Sequence, residues 1–213
     1  MNDTWRAWLA EQRAVSTMTV ERKSLQFLSP WGMSRDGMEY GRLDRRFFRY
    51  IGVLIKKAAR EVTGWNQPLT EELGGDGAVL LLIGPGDEVL LSAKAEPGNI
   101  HAPGMMYLAT TLQASWENIE KAHGGKAPPS VTFATDPRVL WVRGPKDGGR
   151  YYGNFNRLGL LHLDAEEVQR LCLEPNQRWF SLYELAEAYM DGECNSHLRE
   201  AYGHLHADLL LRG

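Results

Sequence analysis

The stretch that most constrains the fold runs from Ala78 to Ala93. Ala78-Val79-Leu80-Leu81-Leu82-Ile83 is uninterrupted apolar chain, and Val89-Leu90-Leu91 repeats that character after Gly84-Pro85-Gly86-Asp87. Gly and Pro between two apolar runs mark a turn, so the pair reads as a β-hairpin, with Leu73 to Gly77 as the flexible turn leading into it. If the second strand continues to Glu96, period-2 alternation points Ser92, Lys94 and Glu96 to one face. The chain then breaks at Pro97-Gly98-Asn99. An amine and a carboxylate side by side at a strand end, next to a Gly-containing loop, have the makings of acid–base chemistry. The competing reading is a surface ion pair at a sheet edge. Exposed Lys/Glu pairs are common and contribute little, so spacing alone favours that second reading.

Downstream, Leu108 to His123 has helical character. Leu108, Leu112 and Ile119 are four and seven apart and make one buried stripe. Gln113, Glu117 and Asn118 are carried on that expected helix, His123 falls near the edge of the stripe, and Gly124-Gly125 ends it. Thr4 to Ala14 is amphipathic through Trp5, Trp8 and Leu9. Val20 to Phe27 reads as a short strand or a connection, closed by Ser29 to Gly32, and Arg35-Asp36-Gly37 as a turn. Phe47 to Ile55 is rich in aromatic and β-branched residues and reads as a strand pair, or a strand bulged at Gly52. Lys56 to Thr63 is ambiguous between helix and strand, and Pro68 forces Gln67 toward an extended backbone. Val131 to Phe133, Val139 to Val142 and a long segment from Arg150 to Leu161, kinked at Gly153, read as strands. Glu166 to Cys172, Leu182 to Met190 and His197 to Leu210 read as helices, with Ser181 to Glu184 as a capping box. The sum is an α+β chain: a mixed, largely antiparallel sheet with a central helix, flanked by N- and C-terminal helices.

At 213 residues the chain fits one domain, with a helical C-terminal segment from about residue 164. A net charge of −3 with no long run of one sign argues against bulk nucleic-acid or anionic-membrane binding. The longest apolar run is far short of a membrane span. Arg6, Glu11 and Arg13 interrupt the first residues, so no secretory signal is read there. Cys172 and Cys194 form no metal-type spacing and read as reduced thiols. The expected setting is the cytoplasm.

The six histidines raise a metal site, but His197, His204 and His206 lack a carboxylate or thiolate set at ligand spacing. They read as a helix face, solvated or partly buried. His101 follows Asn99 in a loop, where it meets either substrate or water. Trp65, in a polar connection, is placed to stack on a flat ligand. None of the familiar nucleotide, hydrolase or metalloprotease motifs occurs. The residues by themselves stop at an α+β domain with a polar site near Lys94 and Glu96.

Three runs add to that reading. They are Trp65-x-Gln67-Pro68, then Ala93-Lys94-x-Glu96-Pro97-Gly98-Asn99, then Gln113-Ala114-Ser115-x-x-Asn118 ending at His123-Gly124-Gly125. Together they resemble the NDP-hexose 2,3-dehydratase family of deoxysugar biosynthesis. The likeness extends outward through Trp8, Arg46-Phe47-Phe48, Asn154-x-Asn156 and a Leu-rich helix after Asn195, and so spans nearly the whole chain. It implies a single Nudix-like module of a kind usually found in tandem, without a Nudix box and hence without the implied hydrolase activity. It implies loss of water from C2 and C3 of a nucleotide-linked 4-keto-6-deoxyhexose, with no metal or redox cofactor. Lys94, Glu96 and His123 become catalytic candidates, with Lys94 at the developing oxyanion, Glu96 carrying the proton and His123 its rival. Trp65, Gln67, Asn99, Gln113, Asn118, Asn154 and Asn156 become substrate-binding candidates. A homodimer would reproduce the tandem arrangement.

There are departures from the family pattern. Basic residues usual beside and between the two asparagines are replaced by Gly153 and Phe155, and an aromatic usual after Asn118 by Ile119. They set a second reading beside the first: a non-catalytic or repurposed binding module of the same fold, taking a non-nucleotide natural-product intermediate.

Overall fold

The computed structural model describes residues 4–56, 64–122, 124, 126 and 129–212. The architecture is α+β, with two sheets among the described residues. β1 (Trp31–Met33), β2 (Glu39–Arg42), β3 (Phe48–Leu54) and β4 (Asn66–Glu72) form an antiparallel sheet in chain order. The second sheet holds β5 (Gly77–Ile83), β6 (Val89–Ala95), β7 (Met106–Ala109), β8 (Leu112–Ala114), β9 (Leu140–Pro145), β10 (Phe155–His162) and β11 (Gln177–Phe180). Its strand order is β11-β6-β5-β10-β9, with β7 on β6 and β8 on β5. Only β5 and β10 run parallel. The helices are α1 (Thr4–Ala14), α2 (Trp116–Ile119), α3 (Ala165–Arg170), α4 (Leu182–Met190) and α5 (Ser196–Arg212). None of them is long and apolar enough to cross a membrane.

Every residue of β5 is buried, which is why its sequence is continuously apolar instead of alternating. Val79, Leu81 and Ile83 point to the face covered by α1, α4 and α5 through Trp5, Leu9, Leu185, Leu198 and Leu205. Ala78, Leu80 and Leu82 point the other way, against Leu112, Val139, Leu161 and Leu163. Each fully buried aliphatic side chain contributes about 1.5–3 kcal/mol relative to exposure, so this strand anchors the fold. At Gly159 on the adjacent β10, a Cβ would lie 2.7 Å from Trp141, 2.8 Å from Val139 and 2.9 Å from Leu80, so only glycine lets the core close there.

β5 and β6 pair directly only at Leu82–Leu90 and Ile83–Val89. Beyond that point they part, and residues 106–114 fill the gap. β7 pairs with β6 from Ser92–Ala109 to Ala95–Met106, and β8 pairs with β5 from Leu80–Leu112 to Ala78–Ala114. Thr111 sits at the fork. Its hydroxyl accepts from the Leu82 amide at 3.1 Å and donates to the Leu90 carbonyl. The neighbouring Thr110 hydroxyl donates to the Leu112 carbonyl at 2.8 Å.

The expected helix over Leu108 to His123 is therefore mostly strand. Leu108 belongs to the core on one face of the sheet and Leu112 to the core on the other, so they form no common stripe. A four-residue spacing of leucines fits a helix equally well, but the β-branched pair Thr110-Thr111 turns the chain and supplies hydroxyls to the fork. Only α2 is helical, capped by the Ser115 side chain accepting from the Asn118 amide. His123 and Gly125 lie outside the described residues, as do residues 57–63 of the ambiguous Lys56–Thr63 stretch.

Other expectations also changed. There is no bulge at Gly52, because the β3–β4 register runs unbroken from Phe48–Glu72 to Leu54–Asn66, with Gly52 opposite Pro68. Val131 to Phe133 forms part of a 3₁₀ segment, Pro129–Thr135, closed in by Asp136-Pro137 and pinned by Phe133 against the core. Val20 to Phe27 is a connection ending in one 3₁₀ turn, and β11 is a strand that its mixed sequence did not announce. The first helix matches the expectation over Thr4–Ala14, with Trp5 and Leu9 buried. The Ser181–Glu184 capping box is present at the start of α4.

Thr111→Val should lower the unfolding free energy by roughly 2–4 kcal/mol, because two buried backbone groups lose their partner at nearly constant volume. Urea denaturation measures this, and an unchanged midpoint would remove the hydroxyl from the account of the fork.

Candidate active site

The parting of β5 and β6 opens a polar cavity of about 240 Å³. Lys94, on β6, and Glu96, just beyond its end, line it, with Val79 from β5 and Gln113 from β8. Ser115 and Asn118 enter from the start of α2, Asn156 from β10 and His197 from the first turn of α5. Glu72, Lys146 and Tyr151 close the side nearest the four-stranded sheet. Ser92 lines an adjoining cavity of about 180 Å³ that Lys94 and Gln113 also border.

Lys94 Nζ lies 3.1 Å from Glu96 Oε1 and 3.4 Å from the Gln113 carbonyl. Gln113 Nε2 donates to Glu96 Oε1 at 2.9 Å, and Gln113 Oε1 accepts from Asn195 Nδ2 at 2.7 Å. Asn195 is itself fixed, because its Oδ1 accepts from the Leu198 amide at 2.9 Å and caps α5. A chain of hydrogen bonds thus runs from the start of a 17-residue helix to the carboxylate. The two charged side chains keep 36% and 30% of their surface exposed, so they face an open cavity instead of bulk solvent or a dry core.

The cavity lining carries a second pair. Lys146 Nζ is ion-paired with Glu72 and stands 5.1 Å from the Tyr151 ring centre. Burial, with the Glu72 charge second, holds the Tyr151 phenol above its ordinary pKa. Asn154 does not line the cavity. Its carboxamide brackets the Glu72 backbone, accepting from the amide at 3.0 Å and donating to the carbonyl at 3.3 Å. Asn156 is buried and lies against Gly77, where a Cβ would come within 3.1 Å of its Oδ1.

The structure brings together Lys94, Glu96, Gln113, Asn118 and Asn156. Trp65 and Gln67 stand elsewhere: Trp65 Nε1 donates to Gln67 Oε1 at 2.8 Å, and Gln67 Nε2 donates to the Gly149 carbonyl at 3.2 Å. Asn99 serves the turn after Glu96, its amide bonded to the Glu96 carbonyl at 3.0 Å. His101 is exposed. Sequence reasoning did not single out Glu72, Lys146 or Tyr151, and read His197 as part of a helix face. A polar cap such as Asn195 two residues ahead of a histidine was the one local signal for His197. Lys146 and Tyr151 had none, since loop closure alone brings them in.

Among the described residues no three His, Cys, Asp or Glu side chains cluster closely enough to hold a metal ion. His204 Nε2 instead lies 3.2 Å from the Leu140 carbonyl. Both cysteines are free, and burial pushes the Cys194 thiol up to about 12, which keeps it an inert packing group in the core. The departures noted in the sequence also find places. Gly153 takes a left-handed turn (φ 69°), Phe155 lies under the Arg143 guanidinium at 3.7 Å, and Ile119 packs on the core away from the cavity.

A family model described as NDP-hexose 2,3-dehydratase matches residues 2–200. The chain belongs to that family. It is 29% identical over 181 residues to a dTDP-4-dehydro-6-deoxy-α-D-glucopyranose 2,3-dehydratase of Saccharopolyspora spinosa, covering 82% of this chain and 36% of the relative. Proteins of the same name from Amycolatopsis orientalis and Streptomyces violaceoruber are 28% and 30% identical, over 88% and 74% of this chain and 41% and 35% of theirs. The chain therefore spans about two fifths of the length of these curated relatives. Lys94 lies on the arm of β6 that has parted from β5, and Glu96 just beyond its end.

Asn195→Ala should cost about 1–2 kcal/mol, since it removes the cap of α5 and the anchor of Gln113 together. Urea denaturation measures the loss, and native stability would show that neither contact holds the helix to the site.

Proposed function

We propose that the cavity carries out the elimination for which the relatives are named, on a thymidine diphosphate 4-keto-6-deoxyhexose. The observation that carries this reading is the Lys94–Glu96 pair, held by Gln113 inside a polar cavity in a chain of this family. A C4 ketone acidifies the C3 hydrogen. Glu96 takes that proton, and negative charge develops on the C4 oxygen. The Lys94 ammonium, aimed by its contacts to Glu96 and the Gln113 carbonyl, stabilises that enolate, the term that contributes most in reactions of this kind. Gln113 holds Glu96 in line, while Asn118 and Asn156 offer hydrogen bonds to sugar hydroxyls. Lys146 supplies a second cation to the cavity, its backbone amide bonded to the Asn154 carbonyl between the Gly153 and Phe155 positions where the usual basic residues are lacking. His123 remains the rival for the proton-carrying role. Asn99 and Asn154 support the frame around the cavity, while Trp65 and Gln67 stand apart from it.

The setting is deoxysugar, and by extension antibiotic, biosynthesis in the cytoplasm, and the described sheet with its flanking helices is taken as one Nudix-like module. Two copies of this chain are taken to pair as a homodimer. Light scattering at micromolar concentration should give twice the monomer mass; a monomer at all concentrations would refute the pairing.

Glu96→Gln should lower turnover of thymidine diphosphate 4-keto-6-deoxyglucose by about 10²-fold or more, as expected when a proton-transfer group is lost. The same substrate should raise the melting temperature of the variant, because binding survives and stabilises by mass action. Near-native turnover would take Glu96 out of the mechanism, and no thermal shift with any nucleotide sugar would point to a repurposed binding module.

A further inference from the structure

The elimination needs two proton transfers, and the Lys94–Glu96 pair accounts for one. Glu96 Oε1 already accepts from both Lys94 and Gln113, the arrangement of a base. Hydroxide is a poor leaving group, so the C2 oxygen needs a proton as its bond breaks. Lys94 and Lys146 are each tied to a carboxylate, and burial holds the Tyr151 phenol above its ordinary pKa. Imidazole is in general the side chain suited to passing a proton near neutral pH. Among the described residues lining the cavity, that leaves His197.

Its placement fits the task. His197 follows Asn195 by two residues, and Asn195 is bonded through Gln113 to Glu96, so the ring is registered against the base. Its Nδ1 is buried without a hydrogen bond, 3.6 Å from Glu200 Oε2 on the same helix. His197 lines the cavity, and because Nδ1 lies beside Glu200 the proton given to substrate is assigned to Nε2. Glu200, too far for a hydrogen bond, places a negative charge on that side of the ring.

We propose that His197 is a second catalytic group of this cavity, which hands its Nε2 proton to the hydroxyl leaving C2 while Glu96 takes the proton from C3; this rests on the dehydratase reading above. The C3–H bond breaks, its proton goes to Glu96, and its electron pair forms the C3=C4 enolate. The electrons then return to restore the C4 carbonyl and make the C2=C3 bond. The C2–O bond breaks, and the oxygen takes the histidine proton and departs as water. One proton is gained at Glu96 and one lost at His197, so the enzyme's count is unchanged. The C3-hydroxy enone then tautomerises to the 3,4-diketone.

The test separates the two transfers. With thymidine diphosphate 4-keto-6-deoxyglucose in D₂O, NMR follows exchange of the C3 hydrogen and loss of the C2 hydroxyl independently. H197Q should lose about 10²-fold in elimination while C3 exchange continues near the native rate; E96Q should lose both. A 2-deoxy-2-fluoro analogue, whose fluoride leaves without a proton, should be eliminated by H197Q at close to the native rate. If H197Q does not fold, H197N is read in its place by the same three measurements. Elimination by the variant within about threefold of native, or equal loss of exchange and elimination, overturns the role. Native enzyme that neither exchanges nor eliminates would instead sink the dehydratase reading, and this inference with it.

Discussion

The fork between β5 and β6 is the constraint on which the rest depends. Two strands that pair for only two residue positions and then separate would leave a row of buried amides and carbonyls unpartnered. Residues 106–114 pair with each arm in turn, and the Thr111 hydroxyl joins the Leu82 amide to the Leu90 carbonyl where neither strand reaches. The opened sheet places a lysine from one arm and a glutamine from the inserted strand side by side. In an unsplit sheet Lys94 would face a neighbouring strand, and there would be no cavity behind Gln113.

Two ammonium–carboxylate pairs line the cavity, Lys94–Glu96 and Lys146–Glu72. Partly solvated pairs like the first contribute about 0–1 kcal/mol to stability, so stability does not explain their placement. They balance charge across a polar space, and each holds a cation in a fixed position. The network from Asn195 through Gln113 to Glu96 adds rigidity, because each amide group in it is bonded on both sides.

The helical layer has a matching role. α1 packs Trp5 and Leu9 onto the sheet and is tied in its first turn, where Trp5 Nε1 donates to Glu187 at 3.2 Å and Arg6 is bonded to Asp191, and in its last turn, where Arg13 donates to the Met106 carbonyl at 3.0 Å. α5 buries Leu198, Ala201 and Leu205 on the same face. That burial fixes where α5 begins, and so fixes Asn195 and His197 at the cavity edge.

Local patterns in the sequence were enough to determine the central hairpin, the first helix, the α4 capping box and the Lys94–Glu96 pair, because each rests on neighbours within a few residues. The family likeness placed Gln113, Asn118 and Asn156 near that pair. The split of the sheet was not legible, since leucines at Leu108 and Leu112 fit a helix stripe as well as two strands on opposite faces. Glu72, the loop bearing Lys146 and Tyr151, and His197 come from three distant parts of the chain, and no spacing rule links them. Only tertiary structure decided that they share a cavity, because the closing of loops onto a forked sheet is a property of the packed molecule and not of any one segment.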